Sequence, residues 1–260
     1  MKAIDYKKIA KDARIDILHM HARANSSHVG SSLSCVDLLI GLYFGVMKAG
    51  DRFILSKGHA ASALYSVLAQ KGVIKKSLLE TYCGRDTCLG GHLSRGCVPG
   101  VEFSTGSLGH GLPAAAGMAL AAKKDNLKHR VFVLLSDGEC NEGSVWEAAM
   151  FASRHALDNL TAIVDYNKLQ GFGSTGDVLN LEPFKAKWQA FGWQAREIDG
   201  HDFKKITTAL SGAPFKKKSP SIIIAHTIKG KGVSFMENRL EWHYKSPNAD
   251  QLAVALKELE

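Results

Sequence analysis

The stretch Val131-Phe132-Val133-Leu134-Leu135-Ser136-Asp137-Gly138-Glu139 decides the fold of this chain. Its unbroken apolar run is too short for a helix and suits a strand buried on both faces, while the carboxylate and glycine at its end mark the passage into a loop. Further on, Leu160-Thr161-Ala162-Ile163-Val164-Asp165 repeats the pattern and runs into Tyr166-Asn167-Lys168-Leu169. Between the two lies a helix, Val145 to His155, so the unit reads strand, helix, strand.

Outward from this unit the alternation continues. Arg52 to Leu55, Trp193 to Ile198 and Ser221 to Ala225 are further strands by their apolar runs. Helices are expected over Tyr6 to Arg23, where Ile9, Ala10, Ala13, Ile17 and Leu18 recur at helical spacing, and over about Ser34 to Met47. Others span about Ala60 to Lys71, Pro113 to Lys124, the region around Phe203 to Leu210, and the polar amphipathic end from about Ala249. Strands alternating with helices specify an α/β fold, a mostly parallel sheet flanked by helices on both faces, with ligands taken at the carboxyl ends of the strands.

With 45% apolar and 22% charged side chains the composition is that of a globular protein. No Pro/Gly/Ser-rich linker, charge block or internal repeat divides it, so residues 1–260 read as a single domain. The formal charge of +8 is spread out, and the one compact run, Lys216-Lys217-Lys218, has no interleaved aromatics, which argues against nucleic acid. The N-terminus lacks an apolar targeting core, and the longest apolar stretch, around Leu38 to Met47, is too short for a bilayer. Five sparse cysteines fit thiols kept reduced, and the expected location is the cytoplasm.

The chemistry concentrates at the strand ends. Ser136-Asp137-Gly138-Glu139 puts a carboxylate and flexible amides just before a helix that begins near Gly143, a natural receptor for a magnesium diphosphate, although the same four residues also suit a simple turn. Adjacent parallel strands could bring Asp137 and Asn167 to one ion, and Mg²⁺ takes few protein oxygens beside phosphate and water.

At these residues the chain resembles thiamine-diphosphate enzymes. Asp137-Gly138 followed by a strand ending in Asn167 looks like their signature, and Glu142-Gly143-Ser144-Val145-Trp146-Glu147-Ala148 makes it similar to transketolase in particular. The resemblance implies the thiamine-diphosphate-binding fold, with thiamine diphosphate and Mg²⁺ (Ca²⁺ or Mn²⁺ substituting) as cofactors. Asp137, Asn167 and the backbone oxygen of Leu169 would hold the metal. Ser136 stands where the family has a first glycine, which is harmless if its φ is negative, and Lys168 replaces an asparagine of related enzymes.

Four short motifs extend the likeness from end to end: Ser27-His28-Val29-Gly30, Ser56-Lys57-Gly58-His59, Gly90-Gly91-His92 and Trp242-His243-Tyr244. By resemblance, His28, His59, His92 and His243 would line the substrate channel and contact the donor's hydroxyls, its carbonyl oxygen and the acceptor aldehyde; elsewhere a lone histidine is usually a surface or core residue. Lys57, Lys229, Gly138, and Gly106 with Leu108 in Ser104-Thr105-Gly106-Ser107-Leu108-Gly109, would lie near cofactor or substrate. Glu142 would link cofactor sites across an interface. The implied activity is transfer of a two-carbon ketol unit from a ketose, with phosphorylated sugars the default, to an aldose. The glutamate that activates thiamine belongs to a second, pyrimidine-binding domain, and this sequence stops at Glu260. The expectation is therefore a separate C-terminal transketolase subunit, joined in a heterotetramer of two copies of each.

Other readings compete. Cys83, Cys88, His92 and Cys97 could be drawn as a zinc knuckle, though at unusual spacing. Gly171-Phe172-Gly173-Ser174-Thr175-Gly176 is a formal dinucleotide motif, but no helix is expected after it because of Pro183. An α-type subunit of a 2-oxo acid dehydrogenase would share the thiamine signature without the four histidine motifs. A non-catalytic half that has kept the fold is the remaining alternative.

Overall fold

A computed structural model describes residues 4–260. Five strands, β1 (Arg52–Leu55), β2 (Val131–Ser136), β3 (Leu160–Tyr166), β4 (Gln194–Asp199) and β5 (Ser221–His226), pair in parallel in the order β1-β2-β3-β5-β4. Alternate residues of one strand enter different cores. Phe132 and Leu134 pack on one face with Phe53, Ile163 and Ile223, while Val131, Val133 and Leu135 pack on the other with Ala162, Val164, Ile222 and Ile224. This two-sided burial is why β2, β3 and β5 read as continuous apolar runs.

On the first face lie α1 (Tyr6–Ala24), α2 (Val29–Ile40) and α3 (Ala61–Gln70); α4 (Gly111–Lys124) and α5 (Gly143–Arg154) cover the second. The chain also forms α6 (Thr175–Leu179), α7 (Phe184–Ala190), α8 (Phe203–Ser211) and α9 (Ala249–Glu258). Every expected strand is present, as are the long helices; α7 is an addition to them, and two further differences have clear causes. α2 starts at Val29, not near Ser34, because Ser31, Ser32 and Ser34 are buried and paired with protein partners rather than capping the helix from a loop. It then runs on as a wider-wound turn, Gly41–Val46, against α8. Val29–Val46 is therefore an 18-residue helix apolar enough to cross a bilayer, longer than the apolar run suggested, but 89% of it is buried in the protein core.

The second difference is α6, a helix where none was expected. Ser174 caps it, accepting from Asp177 N at 3.2 Å, and it ends well before Pro183. Its five residues follow a tight loop closed by the Leu169–Ser174 bridge and by Gln170 N donating to Gly173 O (2.9 Å). That hairpin-like turn is not the strand-to-helix turn on which a dinucleotide pyrophosphate rests.

Candidate functional site

The carboxyl ends of the strands open into a cavity of about 560 Å³. Parallel pairing sets Ser136 of β2 opposite Asp165 of β3, so the turns that follow the two strands meet. Asp137 is 2% exposed; its Oδ1 accepts from Gly138 N (2.7 Å) and its Oδ2 from Lys168 N across the gap (2.6 Å). Asn167 Oδ1 accepts from Leu169 N (3.0 Å), and the Leu169 carbonyl accepts from Lys229 Nζ (3.1 Å). Ser136 is not among the residues with positive φ, so it satisfies the condition on which a serine suits this position.

Burial, then the neighbouring Asp165 carboxylate, pushes Asp137 up to about 6 in spite of its two amide donors. A buried carboxylate short of positive charge, beside an amide oxygen and a backbone carbonyl, is the hard oxygen set that suits a magnesium-sized cation. The residues present fit such an ion.

Beneath this turn lies a buried ion pair. Lys57, 0% exposed, donates to Asp165, to which Ser34 (2.5 Å) and Thr227 also donate, and to the Ser31 carbonyl (3.0 Å). Burial works against both charges, but each partner outweighs it: Asp165 is held below its usual range and Lys57 above. Lys57 lines the cavity, yet its ammonium is committed to Asp165. Lys229 reaches the cavity through its partners, donating to Leu169 O and to His243 Nδ1 (2.9 Å), and burial brings it down to about 8.

The four histidine motifs converge. The His28 ring lies 5.4 Å from that of His59, 5.8 Å from His92 and 4.9 Å from His243, and His59 lies 5.8 Å from His243. His28 caps α2 in a left-handed conformation (φ 78°), uncommon for a residue with a side chain, and its N–H donates to His243 O (2.9 Å). His59 sits in the short turn after β1, and His92 in the loop after Gly91. Burial, helped by neighbouring imidazoles and lysines, lowers His28 to about 4 and His243 to about 3 and carries His59 well below its ordinary value; partial desolvation lowers His92, the most exposed of the four. All four are neutral at neutral pH. Since Lys229 donates to Nδ1 of His243, the proton of that ring is on Nε2.

Gly106 and Leu108 line the same cavity, as do Gly138 and the exposed Glu142, which caps α5. Gly106 has φ 147°, and a Cβ there would lie 3.2 Å from the His92 ring. Of the zinc-knuckle residues, His92 belongs to the imidazole cluster, and among the described residues no group of three or more His, Cys, Asp or Glu side chains is disposed to hold a metal.

Two residues of the site escaped the sequence reading. Asp165 ends an apolar strand and resembles any strand terminus; the signal would have been the need of a buried Lys57 for a counter-charge. Glu139, 0% exposed, accepts from Ser56, from Gly109 N (2.9 Å) and from Ser136 N (3.3 Å), and so ties the loop ahead of α4 to the end of β2. Burial raises its carboxyl.

A family profile described as "Transketolase, thiamine diphosphate binding domain" matches residues 6–259. The chain is 43% identical to an apulose-4-phosphate transketolase subunit of Actinobacillus succinogenes, over 98% of this chain and 96% of that protein. It is 41% identical to a 6-deoxy-6-sulfo-D-fructose transketolase subunit of a Clostridium species, over 99% of this chain and 97% of that one. The crystal structure of transketolase from Campylobacter jejuni superposes with a TM-score of 0.91 at 31% identity, covering 100% of this chain but 43% of the longer one. Fold, sequence and cavity thus lead to one assignment: this chain belongs to the transketolase family, as its N-terminal, thiamine-diphosphate-binding part.

Proposed function

We propose that this chain is the diphosphate-binding subunit of a split transketolase. With a second subunit that carries the pyrimidine-binding domain, in a heterotetramer of two copies of each, it moves a two-carbon ketol unit from a ketose to an aldose. The observation that carries this reading is the meeting of Asp137, Asn167 and Leu169 with four neutral imidazoles in one cavity. Relatives that are themselves named as transketolase subunits match this chain along nearly their whole length, which supports a partner in a separate chain.

In this reading Asp137 Oδ, Asn167 Oδ1 and the Leu169 carbonyl would hold Mg²⁺, for which Ca²⁺ or Mn²⁺ can substitute, and so would supply positive charge for a diphosphate. Thiamine diphosphate, when bound, supplies the electron sink for breaking a C–C bond beside a carbonyl. The protein's own part is orientation and charge. A ring as hard to protonate as His28 or His243 is a weak base at neutral pH, so its N–H serves best as a fixed hydrogen-bond donor to an oxygen that gains negative charge. His243, with its proton on Nε2 and Lys229 behind it, is set for this role. His59 and His92 complete the ring of donors and acceptors that grip the ketose hydroxyls.

The named substrates of the relatives, a sugar phosphate and a sulfo-sugar, share an anionic group, and we propose an anionic ketose as donor. A cytoplasmic location suits the five free thiols. A donor panel assayed with the reconstituted pair of subunits tests the function. Ketol transfer from a phosphorylated or sulfonated ketose, absent with this chain alone, is the expected result; turnover of 2-oxo acids, or full activity without the partner, overturns it.

A further inference from the structure

Among the described residues His21 is the only histidine with no solvent exposure (0%), and it lies outside the cavity, on the last turns of α1. Its Nε2 is 2.8 Å from Ser62 Oγ, and that hydroxyl donates in turn to Ser32 Oγ (2.8 Å). Ser62 thus links the ring to Ser32 on α2, whichever ring nitrogen carries the proton. The other nitrogen, Nδ1, lies 2.9 Å from the Ser26 hydroxyl and 3.1 Å from the Ser26 carbonyl, which can only accept. The ring also packs against Tyr82, with centroids 5.4 Å apart, and the Ser246 hydroxyl donates to the His21 carbonyl (3.0 Å). Burial lowers the imidazole to about 4, so the ring is neutral at neutral pH, with one nitrogen a donor and the other an acceptor.

Each of these partners belongs to a segment that carries one of the cavity histidines. Ser26 lies in the turn that leads to His28, and Ser32 follows His28 by one helical turn. Ser62 is in the first turn of α3, just past His59. Tyr82 starts the loop that Cys83 N closes onto Leu89 O (2.8 Å) before His92, and Ser246 follows His243. Space-filling alone would be met by an apolar side chain, whereas a buried, fully satisfied polar network fixes a particular geometry.

We infer that His21 is a positioning residue, a buried hub that holds the segments bearing His28, His59, His92 and His243 in mutual register. This rests on the transketolase reading only for its catalytic consequence; the geometric part stands apart from it. His21 touches none of the reacting atoms and acts through the four rings.

The test uses the full chain, labelled with ¹⁵N-histidine, in His21→Leu, His21→Gln and Ser62→Ala forms. In His21→Leu the imidazole signals of His28 and His59 are expected to move, with smaller movements for His92 and His243. His21→Gln, which keeps a donor and an acceptor, should return them toward wild type. In the complex with the partner subunit, kcat should fall by up to about 10²-fold in His21→Leu, the order expected of an ångström-scale misplacement, while affinity for thiamine diphosphate holds. Should His21→Leu fail to fold, Ser62→Ala removes one arm of the hub and should move the His59 signal first. The inference is overturned if the four ring signals of a folded variant coincide with wild type, or if kcat is unchanged in an active complex. A wild-type complex that transfers no ketol unit sinks the proposed function, and the NMR comparison still decides the role of His21.

Discussion

The two sides of the cavity are built differently. The oxygen side needs only two adjacent strands: once β2 and β3 pair with Ser136 opposite Asp165, Asp137 and Asn167 are neighbours, and the sheet register does the positioning. The imidazole side draws on four segments far apart in sequence, on α2, after β1, in a long loop and near the C-terminus. No ladder aligns these, and their order relies on buried polar bonds and on a left-handed His28. A site set by sheet register should tolerate change around it, and one assembled from loops should lose function with little loss of fold.

The largest expected effects follow from that contrast. His28→Ala or His243→Ala, in the assembled complex, should lower kcat by about 10²–10³-fold, the range for losing one placed hydrogen-bond donor to a developing negative charge. Thiamine diphosphate affinity should change little, because neither ring lies among the oxygen ligands. Steady-state kinetics with the best ketose donor, set beside calorimetric titration of the cofactor, separates the two quantities. Full turnover in both variants would break the assignment of the imidazole side while leaving the oxygen side intact.

The oxygen side should show the reverse pattern. Asp137→Ala is expected to weaken magnesium-dependent binding of thiamine diphosphate by more than the roughly 100-fold that losing a hydrogen-bond partner of a metal ligand costs. Asn167→Ala should follow in the same direction. Both variants should keep the fold, since Asp137 is tied mainly to amides of its own and the neighbouring turn. Unchanged cofactor affinity in both, measured on the complex with Mg²⁺, would refute the ligand set.

The same contrast explains what could be read from the sequence. The oxygen side was legible because apolar runs ending in Asp137-Gly138 and Asn167 announce strand ends, and strand ends in a parallel sheet converge. The four histidines were found only through resemblance, since spacing alone does not bring residues so far apart in sequence together. Asp165 and Glu139 stayed hidden because their roles are set by what is buried against them, Lys57 in one case and Ser56 with Gly109 in the other. His21 sits in a helix whose periodicity marks Ile17 and Leu18 as core and gives no sign that a polar ring is buried beside them. The start of α2 was misplaced for a related reason: Ser31, Ser32 and Ser34 look like a loop until their buried partners are known.

The imidazole side also predicts a pH signature. His28 and His243 fall from the ordinary 6.5 to about 4 and about 3, so the unfolded chain takes up protons at these residues before the folded one does. Where the unfolded state binds more protons, stability rises with pH. These two residues should therefore contribute nothing unfavourable above 6.5 and destabilise the fold progressively as pH drops from there towards 4. Melting temperature against pH should flatten across that window in His28→Asn and His243→Asn; an unaltered slope in both would mean that the rings are not held neutral.

The smallest effect sharpens the comparison most, because it alters the imidazole side without touching a histidine. Gly106 has φ 147°, a conformation that side-chain-bearing residues rarely adopt, and a Cβ there would come within 3.2 Å of the His92 ring. His92 is exposed, so its ring can give way, and Gly106→Ala should cost the chain only somewhat more than about 1 kcal/mol through the unfavourable backbone. The displaced ring should nevertheless reduce kcat/KM for the ketose, with thiamine diphosphate affinity reporting whether the cofactor has moved too. If His92 is held only by its loop, loss of kcat/KM should appear without loss of cofactor binding. Equal losses of both would mean that Gly106 serves the oxygen side, and that the two sides are less separate than their construction implies.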